Sequence, residues 1–412
     1  MNALPGSPGP RTIETVNRLA LDGGTPVRAA FLPYHQPLID AADEQAVLDT
    51  LRSGWLTTGP RTKQFERVLA AYTGAGHCVA VNSCTAALHL ALEAIGVGPG
   101  DEVITAPITF ASTANVIVHR GATPVFVDVE PDTLNIDPAR IEAAITARTR
   151  AIVPVDFAGH PCDLDPILAI ARRHGLVVIE DAAHSLGAEY RGRRVGGIAD
   201  MTAFSFYATK NITSAEGGAL LTDNPEWAER AAIMALHGIS RDAWKRYGAD
   251  GYQHWDIIGP GYKYNMPDLA GSLVLSQFDK LDAFRARRVE LKARLDAALR
   301  SLPQLAFPGE RPEVVHAYHL YPVILRDERL RADRDTIIQA IQRENIGIGV
   351  HFRAVHLHPF YAEQYGFRRG MFPNAEHYSD RTISLPLYAR MTDGDADDVV
   401  AAVRKVIAHY GR

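Results

Sequence analysis

The sequence predicts an α/β protein: a large lobe built on a mostly parallel sheet, followed by a smaller α+β lobe. Three observations lead there. Short runs rich in β-branched residues alternate with amphipathic stretches from residue 77 to residue 223. The runs are continuously apolar, as expected of strands covered by helices on both faces. A long charged stretch then opens a region of mixed strand and helix signals.

Taken in order, residues 1–30 are rich in Pro, Gly and Ala, show little periodicity and read as a mobile or surface-draped extension. Asp40 can cap a helix running to about Leu51, with Asp43 and Glu44 in its first turn and Gly54 just past its end. The strand-like runs follow as HCVAVNS, DEVITAP, TPVFVDV, AIVPVDF, LVVIED and TAFSFY, and GGALLTD reads as a further strand. Between most of them lie helical patterns such as TAALHLALEAIG, ASTANVIVHRG and LDPILAIARRHG. These elements define a large domain over 31–267. The stretch from Asp268, DLAGSLVLSQFDKLDAFRARRVELKARLDAAL, predicts one long connector helix. Strands HLYPVIL and IGIGVHF and a helical C-terminus complete a small domain within 268–412.

Composition narrows the function. The 412 residues hold 43 Lys plus Arg against 48 Asp plus Glu, a formal charge of −5 with no basic excess to suit a phosphate-tracking nucleic-acid binder. Hydrophobic residues make up 47%, too many for a disordered chain, yet none of the apolar runs is long enough to span a membrane. The N-terminus lacks the pattern of a secretory signal, and Cys78, Cys84 and Cys162 have no CxxC spacing. A reducing, cytoplasmic setting is the expectation.

Several motifs fail on inspection. GVGPGD, with Gly96, Gly98 and Gly100, follows a helix and precedes a strand, the reverse of a dinucleotide fingerprint. No lysine follows a glycine as in a P-loop, and no GxSxG is present. His356 and His358 lack a third ligand at recognisable spacing, so a hydrogen-bonding pair is the better reading and no metal site is assigned.

Lysine is scarce, with seven in the chain. Lys63, Lys245, Lys280, Lys292 and Lys405 fall in charged or helical surroundings and read as solvated charges. Lys210, in FSFYATKNITSAEGG, stands just beyond an apolar aromatic strand, where desolvation can lower an amine's pKa enough to make it a nucleophile toward an aldehyde. Glu180 and Asp181 end a buried strand, where open α/β sheets collect ligands and where a carboxylate calls for a cation such as a protonated pyridine. Ser83, Cys84 and Thr85 follow a strand and open a helix, an anion cradle. Phe110, at the next strand-to-helix junction, suits stacking on a flat ring. Taken singly, each has a plainer alternative: a lysine leaving the core for solvent, an N-cap, a core aromatic. Together they match pyridoxal 5′-phosphate, whose aldehyde, pyridine nitrogen, phosphate and ring each need one of these groups.

From about Gly23 to Tyr388, the segments DGGTPVR, SGWLTTGP, GDEVITAPITF, IEDAAHSLGA, FSFYATKNITSAEGG, GYKYNMPDLAG, IGVHFRAVHLHPFY and SLPLY resemble the DegT/StrS-type sugar aminotransferases. These are fold-type I pyridoxal-phosphate enzymes that aminate keto-sugars carried on nucleotides. KNITSAEGG and GYKYN look most like the 4-aminotransferases that act on UDP-4-amino-4-deoxy-L-arabinose and related sugars. The resemblance implies that Lys210 forms the Schiff base and relays protons, Asp181 keeps the pyridine nitrogen protonated, and His184 lies by the phenolic oxygen. Phe110 would stack where relatives often carry tryptophan; Thr85, the backbone near Cys84, and Ser205 would hold the phosphate. Asn265 would reach the phosphate in a neighbouring subunit, implying a homodimer, and His351 would contact substrate. L-Glutamate is the implied donor and a nucleotide-linked keto-sugar, aminated at C4, the acceptor. Tyr207 departs from a common histidine. A 3-aminotransferase or a cyclitol (scyllo-inosose-type) aminotransferase is the nearer alternative. A keto-sugar dehydratase, which carries histidine in place of Lys210, and a non-catalytic regulator fit less well.

Overall fold

The computed structural model describes residues 18–240 and 255–412. Its centre is a seven-stranded sheet formed by β1 (His77–Val81), β2 (Glu102–Thr105), β3 (Thr123–Phe126), β4 (Thr149–Val153), β5 (Val177–Asp181), β6 (Met201–Ser205) and β7 (Gly218–Thr222). The spatial order is β1-β7-β6-β5-β4-β2-β3. All neighbours are parallel except those of β7, which runs antiparallel to both β1 and β6. The strands are buried on both faces, which is why their sequences are continuously apolar. Helices α1 (Ala41–Ser53), α2 (Pro60–Thr73), α3 (Cys84–Ala94), α4 (Ala111–His119), α5 (Leu164–His174) and α6 (Pro225–Met234) belong to the same part of the chain.

Local chemistry sets several of these ends. Asp40 caps α1, accepting from the Ala42 and Asp43 amides, and Gly54 closes it in the left-handed region at φ 73°. Helix α2 has no capping side chain of its own. Asp268, only 1% exposed, supplies the acceptors instead, taking the N–H groups of Gly59, Arg61 and Thr62 and the Thr62 hydroxyl. An Asp268→Ala variant leaves these donors without their acceptor and is expected to lose about 3 kcal/mol, read as a lower denaturant midpoint at unchanged slope.

The predicted long connector helix is two helices. Helix α7 (Asp268–Phe278) and helix α8 (Leu281–Leu299) part at Asp279 and Lys280. There Gln277 bonds Leu38 O and Asp43 Oδ2, and Lys280 pairs with Asp40 and Asp43 at 2.6 and 2.8 Å, so the first turn of α1 holds the break.

A second core gathers around an antiparallel sheet of β8 (Leu305–Ala306), β9 (Tyr321–Leu325) and β10 (Thr382–Leu385). Leu291 and Leu295 of α8, Ile341 of α9 (Arg334–Arg343) and Val403 of α10 (Asp393–Tyr410) pack into it. IGIGVHF, expected as a strand, forms only isolated bridges, Ile346 to Leu32 and Gly349 to Ser384. A Cβ on Gly347 would lie 2.4 Å from the Tyr34 amide nitrogen, so this segment is pressed flat between two partners and forms no continuous ladder. Within 1–30, residues 1–17 lie outside the described residues. Leu19 is buried in the second core and Arg28 pairs with Asp395 and Asp398, so 18–30 lie against it. No helix among the described residues is long and apolar enough to cross a membrane.

Candidate active site

The C-terminal ends of β1, β2, β5 and β6 open into a cavity of about 590 Å³. Lys210, Asp181, His184, Cys84, Thr85, Phe110, Ser205 and His351 all line it, so eight of the nine residues to which the family resemblance gives a role meet in one place. The ninth, Asn265, does not line it. Asn265 bridges to Val81 beyond the end of β1, donates to Thr58 Oγ1 at 2.7 Å and accepts from Lys263 Nζ at 2.5 Å.

Lys210 follows β6 through a tight turn closed by its own N–H to Tyr207 O at 2.9 Å. Its side chain borders the cavity, yet protein atoms crowd it. That burial pulls its pKa from 10.5 down to about 8, against the opposing pull of Cys84 and Asp181. Of the solvated-charge expectations, Lys63 is exposed, whereas Lys280, Lys292 and Lys405 are largely covered and ion-paired to carboxylates. Long stems laid along protein surface explain the difference. Lys245 lies outside the described residues.

Strand pleating separates the two acids that end β5. Asp181 faces the cavity, 4% exposed, accepting from the Thr113 hydroxyl at 2.7 Å and the Ala183 amide at 3.2 Å. Burial raises its pKa, while Thr113, Ala183 and Lys210 hold the rise back. Glu180 points the other way, accepting from Thr202 at 3.0 Å. Burial and then the Asp156 charge push its pKa well up. A Thr113→Val variant is expected to weaken cofactor binding about tenfold, because the Asp181 carboxylate loses its shortest hydrogen bond; titration of the apoprotein checks it.

The anion cradle is the N-terminus of α3. Ser83 is the N-cap, accepting from the Ala86 amide at 3.1 Å, which leaves the first-turn amides of Cys84 and Thr85 at the cavity wall. The glycine pair at the start of β7, Gly217 and Gly218, allows this seat. A Cβ on Gly218 would stand 2.4 Å from Ser83 C and 2.5 Å from Cys84 N. The Cys84 thiol is pushed well up in pKa by burial, then by Asp181, and stays neutral.

Phe110 is 64% exposed, so it is a wall of the cavity and not a core aromatic. Opposite the acid, His184 stacks on Phe352 at 5.9 Å and lies 4.5 Å from His319. Its Nδ1 is buried with no hydrogen-bond partner among the described residues. His351 bonds Ser384 Oγ through Nδ1 at 3.0 Å; burial first, then the Lys210 charge, lower its pKa to about 4.

Sequence reasoning missed Thr113, His319, Asn211 and Phe352. Thr113 stands one helical turn after Phe110, a signal that was present. His319 and Phe352 come from segments far along the chain, and nothing local marks them.

An amine, a buried carboxylate, an amide-rich helix start, an exposed ring and an orphaned imidazole nitrogen around one cavity fit pyridoxal phosphate group by group. With the fold, they define a pyridoxal-phosphate-dependent aminotransferase of fold-type I. The chain belongs to the DegT/DnrJ/EryC1/StrS aminotransferase family, whose profile matches residues 37–404. It is 51% identical over 381 residues, 92% of this chain and 98% of the relative, to the spore coat polysaccharide biosynthesis protein SpsC of Bacillus subtilis. Among solved structures it resembles the putative sugar aminotransferase Spr1654 of Streptococcus pneumoniae in its pyridoxal-phosphate form, with TM-score 0.85, 35% identity, and 92% and 99% of the two chains covered. PseC of Helicobacter pylori, an aminotransferase involved in pseudaminic acid biosynthesis, gives TM-score 0.85, 29% identity, and 92% and 100% covered.

Proposed function

We propose that this protein transfers an amino group from L-glutamate to C4 of a nucleotide-linked keto-sugar. The observation that carries the reading is Lys210, placed by the fold in the cavity with its pKa lowered, where a dehydratase of this family would carry histidine. The KNITSAEGG and GYKYN segments support the C4 assignment. The cavity, about 590 Å³, suits a cofactor and a sugar ring, and the exposed Phe110 and Tyr207 (46%) at its wall suit the rest of the acceptor.

Bound pyridoxal phosphate supplies an aldehyde for the amine and a ring that takes up the electron pair freed at the reacting carbon. The Lys210 amine would hold the cofactor through that aldehyde and, when free, would move the proton at the reacting sugar carbon. Asp181 would face the pyridine nitrogen and keep it protonated, and His184 Nδ1 would serve the phenolic oxygen. Phe110 would cover the ring, the Cys84 and Thr85 amides and Ser205 would hold the phosphate, and His351 would contact substrate.

Asn265 serves the site of a second subunit, which makes the working unit a homodimer. Exposed Trp55 and Leu56, two to three residues before its partner Thr58, support an interface there. We place the large domain at 31–267 and the connector with the small domain at 268–412, and we assign the enzyme to the cytoplasm.

The test is direct. Glutamate converts the enzyme to its pyridoxamine form, which is then mixed with UDP-, dTDP- and GDP-linked 4-keto- and 3-keto-sugars and with scyllo-inosose. A 4-amino nucleotide sugar, located by NMR, is the expected product. Amination confined to C3 or to the cyclitol overturns the assignment.

A further inference from the structure

Arg288 lies on α8, outside the elements that form the cavity wall, and is the largest wholly buried side chain among the described residues, 1% exposed. Burial lowers its pKa only to about 10, so it remains a cation at neutral pH. A buried guanidinium normally meets a carboxylate. Among the described residues Arg288 meets none: Nη1 donates to the carbonyls of Leu387 at 2.6 Å and of Tyr318 and His319 at 3.3 Å each. Tyr318 has φ 48°, and this turn presents two successive carbonyls to one nitrogen.

The same turn sets the His319 ring. His319 lies 4.5 Å from His184, its Nδ1 meets Asn211 Oδ1 at 3.3 Å, and Asn211 Nδ2 donates to Ala317 O at 3.0 Å. Asn211 adjoins Lys210. Nε of Arg288 is buried with no partner among the described residues, and Arg288 helps line a small cavity with Lys210, Asn211 and His35. The guanidinium thus bonds the turn that carries His319, in the middle of a short series running from His184 through His319 and Asn211 to the adjoining Lys210.

We propose that Arg288 is a positioning residue: by clamping the Tyr318–His319 turn to α8 and the Leu387 loop, it holds His319 and Asn211 against His184 and Lys210. The charge is held there by backbone dipoles, where a carboxylate would add a negative charge beside Lys210 and compete with Asp181 for it. The groups facing His319 are Lys210, His184, Arg288 and His35, all cations or bases, and after burial they keep its imidazole neutral. The inference rests on the place given to His184 beside the cofactor.

The experiment is a double-mutant cycle on the affinity of the full-length apoprotein for pyridoxal phosphate, with Arg288→Lys and His319→Asn, and with NMR titration of the His319 ring as a second readout. Arg288→Lys is expected to weaken binding roughly tenfold, and the double variant no further than His319→Asn alone, because both changes break the same series. Arg288→Met is expected to raise the His319 titration midpoint toward the ordinary histidine range, and Arg288→Lys to raise it less. If Arg288→Met does not fold, the lysine cycle still decides. Additive losses, or a lowered Tm with unchanged affinity and an unchanged His319 titration, overturn the proposal. A His184→Ala control separates the two readings: unchanged affinity in that variant faults the placement of His184 and leaves the Arg288–His319 coupling to be read from the cycle.

Discussion

A Lys210→Ala variant is expected to lose turnover entirely while keeping its fold and its ability to bind pyridoxal phosphate noncovalently. Among the described residues no other amine lines the cavity, so no neighbour replaces it. The absorbance near the visible edge that reports the lysine-bound cofactor should vanish with it, and glutamate should no longer bleach the sample. Any variant retaining wild-type turnover removes Lys210 from the mechanism. The lowered pKa adds a pH test on the wild-type apoprotein. Below about pH 8 the amine is mostly ammonium and cannot attack an aldehyde, so the rate of cofactor capture should climb about tenfold per pH unit and level off above pH 8. A midpoint left near 10.5 would mean that burial does not tune this amine.

An Asp181→Asn variant is expected to reduce kcat on the order of a thousandfold with a smaller effect on substrate KM. The amide keeps the volume and one acceptor: its oxygen can still accept from the Ala183 amide, while its NH2 donates to the Thr113 hydroxyl, whose proton can turn to Thr109. It removes the negative charge proposed to face the pyridine nitrogen, and without that charge the ring would hold its proton poorly and draw electrons less strongly from the reacting carbon. Single-turnover absorbance with glutamate separates this loss from weakened binding. The companion Glu180→Gln change should be far milder, since Glu180 faces away from the cavity and burial with the Asp156 charge already disfavours its charged form.

The strand and helix succession was legible because each buried strand is a short unbroken apolar run and each helix carries its own end signals, Asp40 and Gly54 being the clearest. The direction of β7 was not, since GGALLTD reads the same whether its neighbours run parallel or antiparallel. The break between α7 and α8 was hidden because the helical period continues across it and the cause, the carboxylates of Asp40 and Asp43, is far off in sequence. In the site, residues at strand ends were found because that position is itself the signal. His319, Asn211 and Arg288 were not, since their importance arises from contacts between distant segments. Asn265 was found through family likeness alone, and its bonds within one chain, to Thr58 and Lys263, do not take it into that chain's cavity.

The position of β7 has a bearing on biosynthesis. Within the central sheet β1 is held by β7 alone, with His77 opposite Thr222. The helix proposed to cradle the phosphate follows β1, so its seat is not expected to form on the ribosome until the chain through Thr222 has emerged. Cofactor capture by a nascent chain is therefore expected to begin only after that strand has joined the sheet. Truncation before Gly218 should yield a chain with Lys210 present and no place for the phosphate to rest.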